Sequence, residues 1–334
     1  MNPPEATPVR QPAATALAAF QRLQARLQAE IIGQEQLIER LLIALLTGGH
    51  VLVEGAPGLA KTRAIRALAA GLEADFHRIQ FTPDLLPADL TGSDVFRPED
   101  GSFVFQQGPI FHNLLLADEI NRAPAKVQSA LLEAMGEGQV TVGAKSYPLP
   151  RLFLVMATQN PIEQEGTYPL PEAQLDRFLF HVRVDYPPRE ASREILRLVR
   201  GEALCETPPG EVVEPLARAE VFAAREEVFR LHLAEPVEDY IVELVEGTRT
   251  PGAYGRDLAD WVRWGASPRG AISLERGARA RAWLAGRDFV TPEDVQRIAP
   301  DALRHRILLD YEAEAEGIST QRFVEELLAR VPAP

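Results

Sequence analysis

Residues 50–72 place a short strand, a glycine-containing loop and a helix in direct succession, and this order constrains the fold more than any other stretch. Residues 51–53 are an apolar run bounded by polar residues, and the residues after Ala60 have the spacing of an amphipathic helix. The loop between them reads Gly-Ala-Pro-Gly-Leu-Ala-Lys-Thr. Clustered backbone N–H groups, the Lys61 ammonium and the positive end of the helix all favour a polyphosphate. The stretch therefore predicts a nucleotide-binding loop.

Every residue of this loop is a candidate ligand contact. The predicted contacts are Gly55, Ala56, Pro57, Gly58, Leu59, Ala60, Lys61 and Thr62. The Thr62 hydroxyl is also a candidate ligand for Mg²⁺. Ala60 departs from the common pattern G-x-x-x-x-G-K-[ST], which has glycine at that position. An alanine is tolerable there if its dihedrals are helical, because only a positive φ strongly favours glycine. The alternative is a glycine-rich turn followed by a chance Lys-Thr pair.

Length and composition bound the architecture and exclude several classes of function. A chain of 334 residues, of which 46% are hydrophobic, is long enough for two domains with a core in each. The net charge of −13 opposes binding to nucleic acid or to an anionic membrane. Cys205 is the only cysteine, which excludes an internal disulfide and fits a reducing compartment. Without a signal peptide or a run of about 18 apolar residues, the sequence predicts a cytoplasmic protein.

Apolar segments alternate with helical ones in the first part of the chain. Strands are predicted at residues 51–53, 76–81, 114–117, 152–157 and 180–184. The runs at 114–117 and 152–157 are apolar throughout, as in parallel strands that are covered on both faces. Strands that alternate with helices predict the α/β class, with a doubly wound parallel sheet.

These patterns divide the chain into three parts. Residues 1–15 offer little apolar surface and are expected to be disordered. Residues 16–186 form the predicted α/β domain, and residues 187–334 form a small all-helical domain that follows two prolines. Within that domain Arg269 begins a helix, where the helix dipole disfavours a cation unless a phosphate compensates. A solvated surface arginine is the alternative.

Two hairpins are predicted within the α/β domain. The first covers residues 95–106, with a turn at 98–101, and the second covers residues 139–149 around Gly143. The first is too elaborate for a simple connection between strands. A contact with another molecule and a purely structural role both remain open for it.

Two acidic residues follow the apolar strand at 114–117. A carboxylate at the end of a buried strand is costly unless it faces a cation or solvent, and open α/β sheets bind ligands at this edge. Asp118 is therefore a candidate Mg²⁺ ligand, and Glu119 is a candidate for orienting and polarising the attacking water. Asn160, beyond the strand at 152–157, is a candidate contact to the γ-phosphate or its water. Asn-Pro alone also fits a plain turn.

Five segments, in this order, carry a family resemblance. They read Gly-Ala-Pro-Gly-Leu-Ala-Lys-Thr, Leu-Leu-Ala-Asp-Glu-Ile-Asn-Arg-Ala-Pro, Met-Ala-Thr-Gln-Asn-Pro, Glu-Ala-Gln-Leu-Asp-Arg-Phe and Gly-Ala-Ser-Pro-Arg-Gly. Their combination strongly resembles the MoxR family of AAA+ ATPases over residues 16–310. Alanine is the usual residue of that family at position 60, so the departure from the generic loop supports the resemblance.

The resemblance implies roles that spacing alone leaves open. It implies that Asn160 is sensor 1, which positions the water and reads the γ-phosphate, and that Arg269 is sensor 2 in a helical lid. Arg177 matches the arginine finger, which acts on the ATP of the neighbouring subunit, and Arg122 is the alternative for that role. The two hairpins match the helix-2 insert and the pre-sensor-1 hairpin, which face the pore of a ring.

At the level of function, the resemblance implies an ATPase that uses ATP and Mg²⁺ and assembles into a homo-oligomeric ring, a hexamer. The expected work is chaperone-like remodelling or maturation of a client protein, including help with metal or cofactor insertion, together with a partner that carries a von Willebrand factor A (VWA) domain. A DNA-dependent AAA+ motor shares every ATP-site residue, but the net charge argues against it. A nucleotide-gated scaffold without useful turnover is the other alternative, and Glu119, Asn160 and Arg177 argue against that.

Overall fold

A computed structural model of the chain describes residues 13–99, 101–161, 166–204 and 214–334. The predicted disorder of residues 1–15 falls mostly outside the described residues, and the first helix begins at Ala13. The helices are α1 (Ala13–Glu30), α2 (Glu35–Thr47), α3 (Lys61–Ala70), α4 (Pro87–Thr91), α5 (Ala125–Glu137), α6 (Glu172–Leu175), α7 (Arg189–Ala203), α8 (Arg218–Arg230), α9 (Glu235–Arg249), α10 (Arg256–Trp261), α11 (Pro268–Leu284), α12 (Pro292–Leu303), α13 (Tyr311–Ala315) and α14 (Thr320–Arg330). The strands are β1 (Val51–Gly55), β2 (Phe76–Gln80), β3 (Gly92–Arg97), β4 (Ser102–Gln107), β5 (Leu114–Asp118), β6 (Gln139–Val142), β7 (Lys145–Pro148), β8 (Leu154–Gln159), β9 (Phe180–Val184), β10 (Val262–Trp264) and β11 (Leu308–Leu309).

A five-stranded parallel sheet, in the order β2-β5-β8-β1-β9, carries the α/β part of the chain. The central strands β5 and β8 are buried along almost their whole length, because helices cover both faces of the sheet. Strands that are neighbours in the sheet are not consecutive in the chain, so each connection crosses over through other elements. The predicted doubly wound parallel sheet is confirmed, and the observed strands overlap the predicted ones.

Two hydrophobic clusters pack on opposite faces of this sheet. Val51 points into the cluster that contains α3, whereas Leu52, the next residue of β1, points into the cluster that contains α5. The cluster on the α3 side also contains Leu274 of α11, Val295 of α12 and Phe323 of α14. The sheet and the C-terminal helices therefore share one continuous apolar core.

Two antiparallel hairpins, β3–β4 and β6–β7, are present where the sequence predicts them. The rings of Phe105 and Tyr147 stack with their centroids 4.0 Å apart, so the two hairpins contact each other. At the far end of β3–β4, Phe96 and Phe103 are 51% and 69% exposed. Exposed apolar side chains that cluster at one place are typical of a surface that contacts another macromolecule.

The region after Pro188 is helical, as predicted, with one addition. Strands β10 and β11 pair as an antiparallel ribbon that the sequence analysis does not predict, because such short strands show no alternating pattern. The predicted helix start at Thr291 is confirmed. The buried carboxylate of Asp294 accepts from the Thr291 N–H at 2.9 Å and from Arg287 at 2.6 Å, which ties the start of α12 to the end of α11.

Candidate active site

The phosphate-binding loop lies between the end of β1 and the start of α3. Gly55 is so close to β9 that a Cβ atom there would lie 2.7 Å from the carbonyl oxygen of Val184. Gly58 has a φ of +84°, a conformation that disfavours any side chain. Lys61, the first residue of α3, turns back over the loop, and its Nζ donates to the carbonyl oxygen of Gly55 at 2.5 Å. The loop, its lysine and the positive end of α3 therefore meet in one place, as an anion site requires.

Ala60, at the start of α3, has a φ of 58° and a ψ of 14°. The condition of helical dihedrals is therefore not met, because this residue lies in the left-handed region, which costs an alanine about 1–2 kcal/mol. Its side chain packs against the larger hydrophobic cluster, which offsets part of that strain. A glycine would avoid the strain but would lose this contact.

Replacing Ala60 with glycine tests whether the loop stores this strain. We expect Ala60→Gly to raise the free energy of unfolding by about 0.5–1 kcal/mol, because the strain removed exceeds the extra entropy of glycine in the unfolded chain. Urea unfolding followed by circular dichroism measures the difference. Gly143→Ala is the control of opposite sign, since Gly143 has a φ of +61° and open space around it. An unchanged or lower stability for Ala60→Gly would show that the lost contact and the entropy of glycine equal or exceed the strain.

The acidic pair lies at the carboxyl edge of the sheet, where Asp118 ends β5 and Glu119 follows it. The hydroxyl of Thr158, on the neighbouring strand β8, donates to Oδ1 of Asp118 at 2.6 Å and accepts from the N–H of Glu119 at 2.9 Å. Arg78, on the other neighbour β2, donates to Oδ2 of Asp118 at 2.7 Å. Asp118 is thus held from both sides by the strands that flank β5.

Glu119 has a φ of 58°, and among the described residues only Ala60 shares a positive φ without being glycine. Strained backbone concentrates at functional sites, because it persists only where the surroundings enforce it. Two side chains position the Glu119 carboxylate: the amide of Gln80 donates to Oε2 at 2.7 Å, and Nε of Arg122 lies 3.1 Å from the same atom. The carboxylate is therefore presented at the sheet edge in one defined orientation.

The loop and the acidic pair interact electrostatically. Burial lowers the pKa of the Lys61 ammonium below its ordinary value, and the charges of Asp118, Glu119 and Glu54 oppose that shift. The Thr62 hydroxyl and the Asp118 carboxylate are oxygen donors of the kind that Mg²⁺ prefers, so this pair fits the ion. The buried Asn160 directly follows β8 and reaches the same edge. These predicted residues therefore lie at the same edge of the sheet as the loop.

A pocket of about 210 Å³ adjoins the loop on the side of β9. Leu59 and Val184 give it apolar walls, and Tyr186 borders it. The corner between α1 and α2 lies beside this pocket, since Nε2 of Gln34 donates to the carbonyl oxygen of Asp185 at 3.1 Å. The apolar walls next to a phosphate-binding loop suit a flat group such as a purine base.

The predicted Arg269 belongs to a second cluster, which is organised by Asp176. The Asp176 carboxylate accepts from Nε of Arg306 and from the hydroxyl of Ser267, each at 2.9 Å, and lies 3.7 Å from Nη1 of Arg269. Ser267 caps α11, and Arg269 lies in its first turn. The Asp176 carboxylate therefore compensates the cation at this helix N-terminus.

Arg177 follows Asp176 directly and lies against α5. Its Nη1 donates to the carbonyl oxygen of Leu132, and a Cβ atom at Gly136 would lie 2.7 Å from the same nitrogen. Within the described residues, the hydrogen bonds and ion pairs of Arg177 and Arg269 are thus made with α5, the α11 cap and Asp176. The structure brings the loop, Asp118, Glu119 and Asn160 together, and it places the two arginines in a separate group.

Comparisons with known proteins agree with this fold and loop. Residues 50–180 match the model of the ATPase family associated with various cellular activities (AAA), and residues 259–327 match the AAA lid domain. Chaperone MoxR1 of Mycobacterium tuberculosis is 47% identical over 91% of this chain and 79% of its own length. Protein MoxR of Methylorubrum extorquens is 33% identical over 95% of this chain and 95% of its own. The chain belongs to the MoxR family of AAA+ ATPases.

Similarity within this family extends to solved structures. The crystal structure of a protein from Cytophaga hutchinsonii, assigned as an ATPase, matches with a TM-score of 0.87 and 46% identity over 97% of both chains. The chain is an ATP hydrolase with an AAA domain and an AAA lid. None of its described helices has the length and apolar character needed to cross a membrane.

Four side chains that hold the predicted residues of this MoxR-family ATPase are absent from the sequence prediction: Arg78, Gln80, Thr158 and Asp176. Gln80 and Thr158 lie at or near the carboxyl ends of the strands that flank β5, and that position is the signal that points to them. Asp176 lies within the segment Glu-Ala-Gln-Leu-Asp-Arg-Phe, but its partners Ser267 and Arg306 are 91 and 130 positions further along the chain. No local pattern reports a contact of that range.

Proposed function

We propose that this ATPase is a chaperone-like motor that works as a ring and completes each ATP site between two subunits. The loop from Gly55 to Thr62 holds the phosphates, Asn160 contacts the γ-phosphate and its water as sensor 1, and Glu119 accepts a proton from that water. Mg²⁺, when bound, neutralises the charge of the phosphates, and Thr62 and Asp118 would hold it. The pocket beside Leu59 receives the base.

The division of the site into two groups carries the proposal. Phosphoryl transfer needs positive charge at the γ-phosphate beyond that of Lys61. Arg177 and Arg269 are suited to supply it, but their contacts are with α5 and Asp176 of their own chain. A neighbouring copy placed head to tail brings both arginines to the site, and repeated heterologous contacts of this kind close into a ring. Arg122, which contacts Glu119 of its own chain, is the alternative finger.

The continuous core determines which parts of the ring move. Because α11, α12 and α14 share their apolar core with the sheet, separating the lid from its own sheet would expose that core to water. We therefore expect ATP to shift whole subunits against one another. The exposed aromatic pair Phe96 and Phe103 of the β3–β4 hairpin then moves with its subunit at the pore, where it contacts the client.

The client is a protein in this proposal, which the name of the chaperone from Mycobacterium tuberculosis supports. Remodelling or maturation of that client, help with metal or cofactor insertion, and a VWA-domain partner follow from the family resemblance. The charge of −13 and the single cysteine support a cytoplasmic protein that does not act on nucleic acid. A hexamer is the assembly that we propose for the ring.

Light scattering on Glu119→Gln, which should trap bound ATP, tests the ring. We expect the mass to rise from one chain to about six when Mg²⁺ and ATP are added, because the nucleotide lies between subunits. Lys61→Ala is the control, since it lacks the ammonium that holds the phosphates and should keep the mass of one chain. A single-chain mass for Glu119→Gln under both conditions would remove the ring and the role of Arg177 in trans.

A further inference from the structure

The sheet and the lid enclose a cavity of about 690 Å³ on the face of the sheet opposite α3. Glu54, His181 and Arg183 line it from strands β1 and β9. The lid turn Arg304–Arg306 lines it from the other side, and Asp176 also borders it. The cavity therefore separates the start of the phosphate-binding loop from the carboxylate that organises the second cluster.

Glu54 is the residue directly before Gly55, the first residue of the loop. Its Oε2 lies 2.9 Å from Nε2 of His181 and 3.7 Å from Nε of Arg183, both on β9. The contact with His181 holds the pKa of Glu54 below its ordinary value; burial opposes this shift, and the charges of Arg183 and Arg304 reinforce it. Glu54 therefore remains a carboxylate. It links the start of the phosphate-binding loop to the positive charges of Arg183 on β9 and Arg304 in the lid.

The lid turn Arg304–Arg306 has a partner on each side of the cavity. The ring of His305 meets that of His181 edge to face, with centroids 5.9 Å apart, and its Nε2 lies 3.1 Å from the carbonyl oxygen of Phe178. Arg306 donates to Asp176 at 2.9 Å. All three residues of the turn are buried in close-packed surroundings, so a displacement at one end of the turn also displaces the other end.

Two buried polar atoms also lie on the cavity wall. Nδ1 of His305 and Oδ1 of Asn121 are buried, and the described part of the chain provides no hydrogen-bond partner for either. A buried polar atom without a partner costs about 1–3 kcal/mol. The open space beside the turn gives it room to shift when its contacts change.

We propose that Glu54 is a positioning residue that couples the phosphate-binding loop to the lid turn Arg304–Arg306 and, through that turn, to Asp176. Phosphate binding draws Lys61 away from the carbonyl oxygen of Gly55, so the backbone beside Glu54 changes its partner when ATP arrives. The turn transmits this change across the cavity to the carboxylate beside Arg177. The coupling links neighbouring ATP sites only if that arginine acts in trans, so in this respect it rests on the proposed function.

Hydrogen exchange read by mass spectrometry tests the coupling inside one chain. In the wild type, a non-hydrolysed ATP analogue with Mg²⁺ is expected to change the exchange rate at residues 303–309 by at least about fivefold, the lower end of coupling between sites. In Glu54→Gln, saturated with the same analogue, we expect that change to be lost. The exchange is measured at a protein concentration at which light scattering shows a single chain, so burial at a subunit interface does not contribute to the change.

Glu39→Gln is the matched control. Glu39 also joins the first part of the chain to the lid, through Arg281 at 3.4 Å, but it lies in α2 instead of at the loop, so this variant should keep the nucleotide-dependent change. A wild-type chain without the change, or Glu54→Gln with the change intact, would overturn the coupling. If Glu54→Gln fails to fold, Arg183→Gln is the second variant. It removes a cation that contacts the Glu54 carboxylate, and the Arg183 side chain is more exposed than that of Glu54. Loss of the nucleotide-dependent exchange change is expected for this variant too.

Discussion

Glu119→Gln is expected to bind ATP with nearly unchanged affinity and to lose about 10²- to 10⁴-fold in turnover, the range for removal of a general base. Glutamine has the shape of glutamate, so it can keep the contact with Gln80, and the backbone N–H can keep its bond to Thr158. It lacks the basic carboxylate that accepts a proton from the attacking water. The loss therefore falls on kcat and not on binding.

Phosphate release measures this turnover, and titration with a fluorescent ATP analogue measures affinity. Lys61→Ala provides the contrast, because it should lose binding itself. Glu133→Gln, on the exposed face of α5, is the matched neutral control for the loss of one carboxylate. Normal turnover in Glu119→Gln would remove Glu119 from its role as the general base.

Much of the α/β fold and of the loop follows from local pattern. The runs at 114–117 in β5 and 152–157 at β8 are apolar because they are covered on both faces, and this burial makes the strands visible in the sequence. Once β5 is placed, the position of Asp118 and Glu119 at the sheet edge follows from strand direction alone. The polar residues that hold them, Gln80 and Thr158, follow from the same rule applied to the flanking strands.

Local sequence patterns do not predict strained backbone conformations. An alanine at position 60 favours helical dihedrals, because alanine is strained at a positive φ. The dihedrals of Ala60 are nevertheless left-handed. The same holds for Glu119, whose φ of 58° has no signal in the residues around it. Both conformations depend on packing by the whole site, since an isolated segment would relax to an unstrained form.

Contacts between residues that lie far apart in the sequence also cannot be predicted from local sequence patterns. The prolines at 187–188 follow the last strand of the five-stranded sheet, but helices on both sides of that point share one apolar core. The division into residues 16–186 and 187–334 as separate domains therefore stays a prediction. The partner of Asp176 is likewise unpredictable from local sequence, because Arg306 lies 130 positions further along the chain.

Arg177→Ala is expected to lose about 10³- to 10⁵-fold in turnover, the range for removal of an arginine finger, while its affinity for ATP stays nearly unchanged. In a single chain the Arg177 guanidinium bonds to the carbonyl oxygen of Leu132 on α5, and not to the phosphate-binding loop. Its removal therefore leaves the loop of the same chain intact. Single-turnover kinetics and analogue titration separate the two quantities.

Mixed rings decide between action within one chain and action on a neighbour. An Arg177→Ala subunit keeps its own Glu119, and a Glu119→Gln neighbour can supply it with an intact Arg177. In an equal random mixture, half times half, or about a quarter, of the sites combine both groups, because each heterologous interface joins two subunits in one direction. We expect turnover to return to about that fraction of the wild-type rate, although each variant alone is inactive. Mixing Arg122→Ala subunits with Glu119→Gln subunits tests the alternative finger in the same way. If turnover returns in that mixture but not in the mixture with Arg177→Ala, the role belongs to Arg122. If turnover returns in neither mixture, both arginines act within their own subunit.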